Sequence, residues 1–213
     1  MSDPARLMRF VLELRRAGVT DAHVLAALER TPRTHYAPAH LEGLAMDDVA
    51  LPLAHTQFMT KPSMVGRMII ALAPQSGDAV LEVGSGSGYQ SAVIADLAQK
   101  VVTLDRWSDL VQNARMRFNA DRQTRIHAYL ADGFDGFRDE APYDRIIVNA
   151  AVEALPPPLL EQLKAGGVLL APVGDTREQR LIRYHDGSRE DLGPIRLQPL
   201  ERGLGDASPH PGG

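Results

Sequence analysis

Apolar residues recur at helical spacing in the first third of the chain and in short strand-like runs after it. Leu7, Val11 and Leu14 fall on one helix face, and Gly18 ends that helix. Thr20 is placed to cap a second helix carrying Val24, Leu25 and Leu28, which Pro32 stops. Residues 48–62, DVALPLAHTQFMTKP, contain two prolines and no steady period, and read as an irregular loop. Met64, Met68 and Leu72 mark a third helix ending at Pro74, and the stripe of Met59, Met64 and Met68 reads as packing.

From Gly77 the texture changes. DAVLEVG, KVVTLD, IHAYLAD, YDRIIVNAA and GVLLAPVG read as strands, and the helices GYQSAVIADLA and LVQNARMRFNA and the turn-then-helix LPPPLLEQLKAG alternate with them. QRLIRYHDG and IRLQPLERG read as two further strands, the first ending in an Asp-Gly turn. The alternation predicts an α/β fold: a mostly parallel, doubly wound sheet with an antiparallel C-terminal edge and an N-terminal helical extension. The expected division is residues 1–62 for the extension and its loop, 63–204 for the sheet domain, and 205–213 for a Gly/Pro-rich tail without fixed structure.

Composition narrows the function. The 213 residues include 23 basic and 27 acidic side chains, a net charge of −4 that does not favour nucleic acid or acidic lipid as partner. Zero cysteines remove disulfides, a thiolate zinc site and a cysteine nucleophile. No metal site is expected. Neither a signal-peptide core nor an apolar run of about 20 residues is present, so the expected setting is cytoplasmic, with no membrane partner.

The chemistry centres on VLEVGSGSGYQS, residues 80–91. A triphosphate loop needs Lys-Ser or Lys-Thr after its last glycine, and none follows. A dinucleotide turn needs G-x-G-x-x-G, but here Tyr89 holds the third position and the glycine comes one residue early, at Gly88. The spacing of Gly84, Gly86 and Gly88, with Glu82 two residues before, lets backbone approach a bulky flat group, while the N–H groups that follow favour one anion. S-adenosylmethionine offers one carboxylate, an adenosine and a cationic sulfonium. Asp105 ends the second strand of the sheet domain, 17 residues after Gly88, where an acid can accept from two ribose hydroxyls. Asp132 and Gly133 end the third, where a side chain can face an adenine amino group. Trp107 stands where it can cover the adenine or simply pack on the sheet edge.

These segments resemble the protein-L-isoaspartate O-methyltransferase family from about Val24 to Leu200. The glycine stretch with its Tyr89-Gln90, EAPYDRIIVNAA, LLEQLKAGGVLLAPVG and LPLAHTQFMTKP carry the likeness. It implies a Rossmann-like class I methyltransferase that uses S-adenosyl-L-methionine to methylate the α-carboxylate of L-isoaspartyl residues in damaged proteins or peptides, a repair reaction. It also implies Gln90 among the cofactor residues, and His55, Gln57 and Asn149 on the substrate side. Thr60 stands for the family's active-site serine and keeps its hydroxyl. Phe58 replaces a threonine, and Asn149 stands where threonine is more frequent.

The acceptor is ionised at neutral pH, because carboxylic acids of this kind titrate near 4, so no general base is required. The task is alignment in line with the departing sulfur and exclusion of water. Thr60 is the candidate to orient the incoming carboxylate; its alternative role is to cap the helix after Pro62. His55 reads more naturally as structural. The rival functions are a methyltransferase for a different carboxylate and a non-catalytic S-adenosylmethionine-binding module. Methylation of base nitrogens is disfavoured, because no aromatic follows the prolines of VNAAVEALPPPLL. Oligomeric state is not legible, and a monomer is the default.

Overall fold

A computed structural model describes residues 4–205. Two helices open the chain: α1 (Pro4–Arg16), which buries Phe10 and Leu14, and α2 (Ala22–Arg30), which buries Val24, Leu25 and Leu28. The cap of α2 is Asp21 rather than Thr20: its carboxylate accepts the N–H groups of His23 and Val24, both at 2.9 Å. The side chain directly before the first helical residue reaches those donors, and Thr20 is one position too early.

The stretch 48–62 is more ordered than its lack of period suggests. Strands β1 (Leu51–Pro52) and β2 (Phe58–Met59) pair antiparallel, with Leu51 opposite Met59. His55 and Thr56 make the bend between them at φ 57° and 56°. Two-residue strands are too short to print a period on the sequence. Helix α3 (Pro62–Leu72) follows and ends in Ala73, left-handed at φ 51°, since the residue before Pro74 is disfavoured in the helical region. The α3 N-terminus is capped from outside by Asp48, which accepts the Ser63 N–H at 2.8 Å and the Ser63 hydroxyl at 2.7 Å.

The sheet contains β3 (Ala79–Val83), β4 (Lys100–Asp105), β5 (Ile126–Leu130), β6 (Tyr143–Val148), β7 (Leu163–Gly174), β8 (Gln179–His185) and β9 (Ser188–Pro194). Its order is β5-β4-β3-β6-β7-β8-β9. The first five are parallel; β8 runs antiparallel to β7 and β9 to β8. Helices α4 (Tyr89–Ala95), α5 (Ser108–Ala120) and α6 (Pro157–Glu161) lie on the connections, α6 shorter than its sequence suggested because β7 already begins at Leu163. Val80 and Leu81 point to opposite faces, into two cores. The first joins Phe10, Leu14 and Leu28 to Val80, Ile94 and Ile147, so the N-terminal helices share one core with the sheet. The second gathers Leu81, Val102, Ile146, Leu159 and Leu169.

One expected strand is displaced. The hairpin partner of β8 is the polar SREDLGP of β9, not IRLQPLERG. The Asp186-Gly187 turn, at φ 45° and 81°, sets His185 opposite Ser188 and so fixes which residues pair. An edge strand needs no apolar alternation, and its charges protect the open edge. Residues 195–203 instead run as a strap over the carboxyl ends of the strands. Ala151 donates to the Gln198 carbonyl and Leu200 to that of Ala151, both at 2.7 Å. Of the tail, only Gly205 lies among the described residues, and its N–H donates to the Arg106 carbonyl at 2.8 Å. No helix among the described residues is long and apolar enough to cross a membrane.

Candidate active site

The chain winds from β3 through β4 to β5 on one side and returns to β6 on the other, which opens a crevice at the carboxyl end of β3. A cleft there is lined by Gly84, Ser85, Gly86, Asp105, Trp107 and Gly133, among others. The three glycines after β3 have φ of 93°, 49° and 86°, a left-handed backbone that side chains adopt only with strain. Gly84 and Gly86 face the cleft. Gly88 does not: a Cβ there would sit 2.8 Å from the Phe118 ring, so this glycine serves the close packing of α5 rather than the ligand.

Asp105 ends β4 on the cleft wall. Its carboxylate accepts the Gly86 N–H at 2.9 Å, the Ser85 hydroxyl at 3.3 Å and the Trp107 N–H at 3.2 Å. Burial raises its pKa, and those donors pull it back. It therefore holds the glycine turn in shape while facing the space a ligand would fill.

Glu82 is fully buried and does not line the cleft, contrary to its expected cofactor role. Its carboxyl accepts from the Ser91 hydroxyl, the Thr103 hydroxyl at 2.6 Å and Asn149 Nδ2 at 2.9 Å. Burial pushes its pKa up to about 7 despite these bonds, with the nearby Asp105 charge adding to the rise. Asn149 also donates to the Gly84 carbonyl at 3.0 Å and accepts from Gln90 Nε2 at 2.8 Å. Both Nδ2 hydrogens of Asn149 are spent inward, so this side chain positions the wall of the cleft, and only Oδ1 keeps capacity for one more donor. Gln90 lines the cleft from the same network.

Gly133 lines the cleft, but Asp132 turns away: its oxygens accept the N–H of Phe134 at 2.9 Å and of Gly203 at 2.6 Å. It ties the strap to the end of β5 and stands outside the cleft lining. His55 is absent from the lining. Its ring stacks on Trp107 at 3.8 Å between centroids and 2° between planes, and its Nε2 lies 2.9 Å from Asp109 Oδ1. His55 thus pins the β1–β2 bend to the start of α5.

Thr60, Gln57, Phe58 and Asn149 line both this cleft and a second cavity beside it, bounded further by Met64, Leu197, Lys61 and Arg196. The Thr60 hydroxyl makes no hydrogen bond with a described residue, and the helix it was offered as capping is capped by Asp48. Gln57 donates to the His55 carbonyl at 3.1 Å, within its own bend.

No local pattern in the chain marks Arg33. Its guanidinium is buried and donates to the carbonyls of Ala45 and Val49 at 2.9 Å and of Thr60 at 3.2 Å, and it lies 5.8 Å from the centroid of the Tyr89 ring. One side chain so holds the 45–49 turn and the Thr60 backbone in a fixed relation to the glycine turn. An arginine after a proline carries no local signal for such a task.

Comparison with known proteins decides the family. The sequence profile described as Protein-L-isoaspartate(D-aspartate) O-methyltransferase (PCMT) matches residues 6–194. The chain belongs to the protein-L-isoaspartate O-methyltransferase family. A protein-L-isoaspartate O-methyltransferase of Cereibacter sphaeroides is 47% identical over 209 residues, 95% of either chain. Two solved structures share the fold. A protein-L-isoaspartate O-methyltransferase has a TM-score of 0.81 at 21% identity, over 94% of this chain and 67% of that one. A Plasmodium falciparum protein described as a putative member, in complex with S-adenosyl-L-homocysteine, has a TM-score of 0.79 at 22% identity, over 91% of this chain and 97% of its own. The activity is the family's: S-adenosylmethionine-dependent methyl transfer to L-isoaspartyl residues.

Two buried donors on the cleft lining, Trp107 Nε1 and Tyr89 Oη, have no partner among the described residues. The Asp105 carboxylate and the glycine backbone on the lining fit a polar nucleoside better than an apolar ligand. Among the described residues no cluster of three or more histidines or acids could hold a metal ion.

Proposed function

We propose how the residues divide this reaction. Asp105, Gly84, Gly86, Gly133 and Gln90 hold S-adenosylmethionine, with Trp107 closing its mouth, and Thr60 meets the acceptor carboxylate. The observation that carries this reading is the shared lining: Thr60, Gln57, Phe58 and Asn149 border both cavities, so a group entering the second reaches the first at these residues. When bound, the sulfonium supplies an electrophilic methyl group. The protein's own work is placement. Thr60 donates its hydroxyl to the α-carboxylate and turns it toward the cleft. Arg33 and Asp48 keep the Thr60 backbone and the start of α3 from drifting. Glu82 and Asn149 hold the glycine turn from beneath, and His55 keeps the bend closed on Trp107. The Phe58 ring, 51% exposed, walls the acceptor side and keeps water from it.

In this reading residues 1–62 supply one wall of the acceptor site, residues 63–204 supply its other wall and the cofactor side, and one chain suffices. The substrates are isoaspartyl-containing proteins and peptides of the cytoplasm, where the ester formed can close to a succinimide without the enzyme. The test uses tritiated S-adenosylmethionine with an isoaspartyl peptide and its aspartyl twin. Wild type labels only the first. Thr60→Ala lowers kcat/KM by about 10- to 100-fold, as expected when a charge-assisted hydrogen bond of about 1.5–3 kcal/mol is removed. Thr60→Ser restores most of it, and cofactor affinity stays within about twofold. Undiminished turnover in Thr60→Ala removes this residue from the site.

A further inference from the structure

The acceptor-side cavity is cationic in a protein whose net charge is −4. Lys61 and Arg196 stand on its lining, and no acid does. The two cations are not equivalent. Lys61 Nζ lies 3.8 Å from Asp48 Oδ2, so its charge is already partly answered. Arg196 is exposed and makes no hydrogen bond or ion pair with a described residue.

The backbone that carries Arg196 is held in place. The strap that carries it is clamped by the buried Gln179, which donates from Nε2 to the Leu197 carbonyl at 3.1 Å and accepts the Leu197 N–H at 2.8 Å. On the near side Ile195 donates to the Gln179 carbonyl at 3.1 Å, and on the far side Gln198 accepts from Ala151. The backbone on both sides of Arg196 is therefore tied to β8 and to the end of β6. Leu197, Met64 and Phe58 give the cavity an apolar floor against which a peptide stem can lie. A guanidinium carried at the rim of such a groove on a clamped backbone, with no partner among the described residues, is matched by a carboxylate.

We propose that Arg196 is a specificity residue that selects isoaspartyl peptides bearing an acidic side chain close to the damaged position. The inference rests on the reading of this cavity as the acceptor site. The reacting carboxylate sits at the Thr60 end, the chain leaving it passes over the Phe58 and Leu197 floor, and a neighbouring Asp or Glu meets the guanidinium. A basic neighbour meets the same charge with repulsion. Free acids and phosphates share the anionic chemistry but lack the peptide stem that the floor receives.

The experiment compares kcat/KM for two isoaspartyl peptides that differ only in carrying Glu or Lys at the positions flanking the damaged residue. Wild type favours the acidic peptide by about 3- to 10-fold, the range of an exposed charge pair turned from attraction to repulsion. The difference lies in KM and shrinks at high salt. Arg196→Lys keeps the preference, Arg196→Ala brings the ratio close to one, and Arg196→Glu reverses it, which a misfolded variant could not do. Both peptides methylated equally by wild type, or the same ratio in wild type and Arg196→Glu, overturns the inference and leaves the acceptor site standing. Methylation of neither peptide, with cofactor bound, overturns both.

Discussion

Replacing Glu82 by Gln should change how stability depends on pH, and the structure supplies the size of the change. Glu82 is fully buried beneath the glycine turn, with its carboxyl held by Ser91, Thr103 and Asn149. Its pKa rises from 4.5 to about 7 on folding. For a carboxyl raised in the folded state, the stabilising contribution is fully present below 4.5 and is lost as pH climbs through 7. Between pH 5.5 and 8 the loss amounts to about 2 kcal/mol, from about 1.4 kcal/mol per pKa unit and the fraction still protonated at the lower pH. Gln keeps the volume and cannot ionise. Its carbonyl can accept from Asn149, and its amide can donate to the Ser91 and Thr103 hydroxyls, which accept as well as donate. Urea unfolding of both proteins across this window, followed by circular dichroism, reads the difference. The gap between variant and wild type should move in favour of the variant by about 2 kcal/mol as pH rises. Parallel pH profiles would refute the reasoning, because they would mean that Glu82 is not the group whose proton is retained on folding.

Three further outcomes follow from the geometry. Asp105→Asn should weaken S-adenosylmethionine binding by about 1–3 kcal/mol, the worth of a buried charged hydrogen bond, read by titration calorimetry; unchanged affinity would take Asp105 off the nucleoside. Gly88→Ala should destabilise by about 2–4 kcal/mol, combining a left-handed backbone with a Cβ 2.8 Å from Phe118, and a double variant with Phe118→Leu should recover part of the loss in urea unfolding. Arg33→Lys should cost at least about 3 kcal/mol, since a single ammonium cannot serve the spread of buried carbonyls the guanidinium now satisfies, and should raise the peptide KM of whatever folds.

Several parts of this site were legible in the sequence for local reasons. The run of Val80, Leu81 and Val83 against Gly84, Gly86 and Gly88 is a strand that must stop in a left-handed turn, and any chain with those residues bends there. Asp105 follows from the same logic, because the end of the neighbouring strand lies beside that turn in a parallel sheet. Other parts were not legible. Arg33 acts on Ala45, Val49 and Thr60, and Asp48 caps a helix that starts at Pro62, contacts made across distances in sequence that leave no pattern. The strand role of SREDLGP was hidden because an exposed edge strand carries no apolar alternation.

Near neighbours in the chain were enough for the alternation of helices and parallel strands from β3 to β7, the bend after β3, and the kind of ligand that bend suits, because each depends on propensity and local spacing. Which polar groups face the cleft was settled by packing in three dimensions. Glu82 and Asp132 look like ligand residues in the chain, yet Thr103 and Asn149 reach the first and Gly203 the second from other segments, while Arg196 takes a place on a cavity that no local pattern marks. The reason is physical: a buried polar atom must find its partner wherever the folded chain brings one, and that choice is made by packing rather than by sequence position.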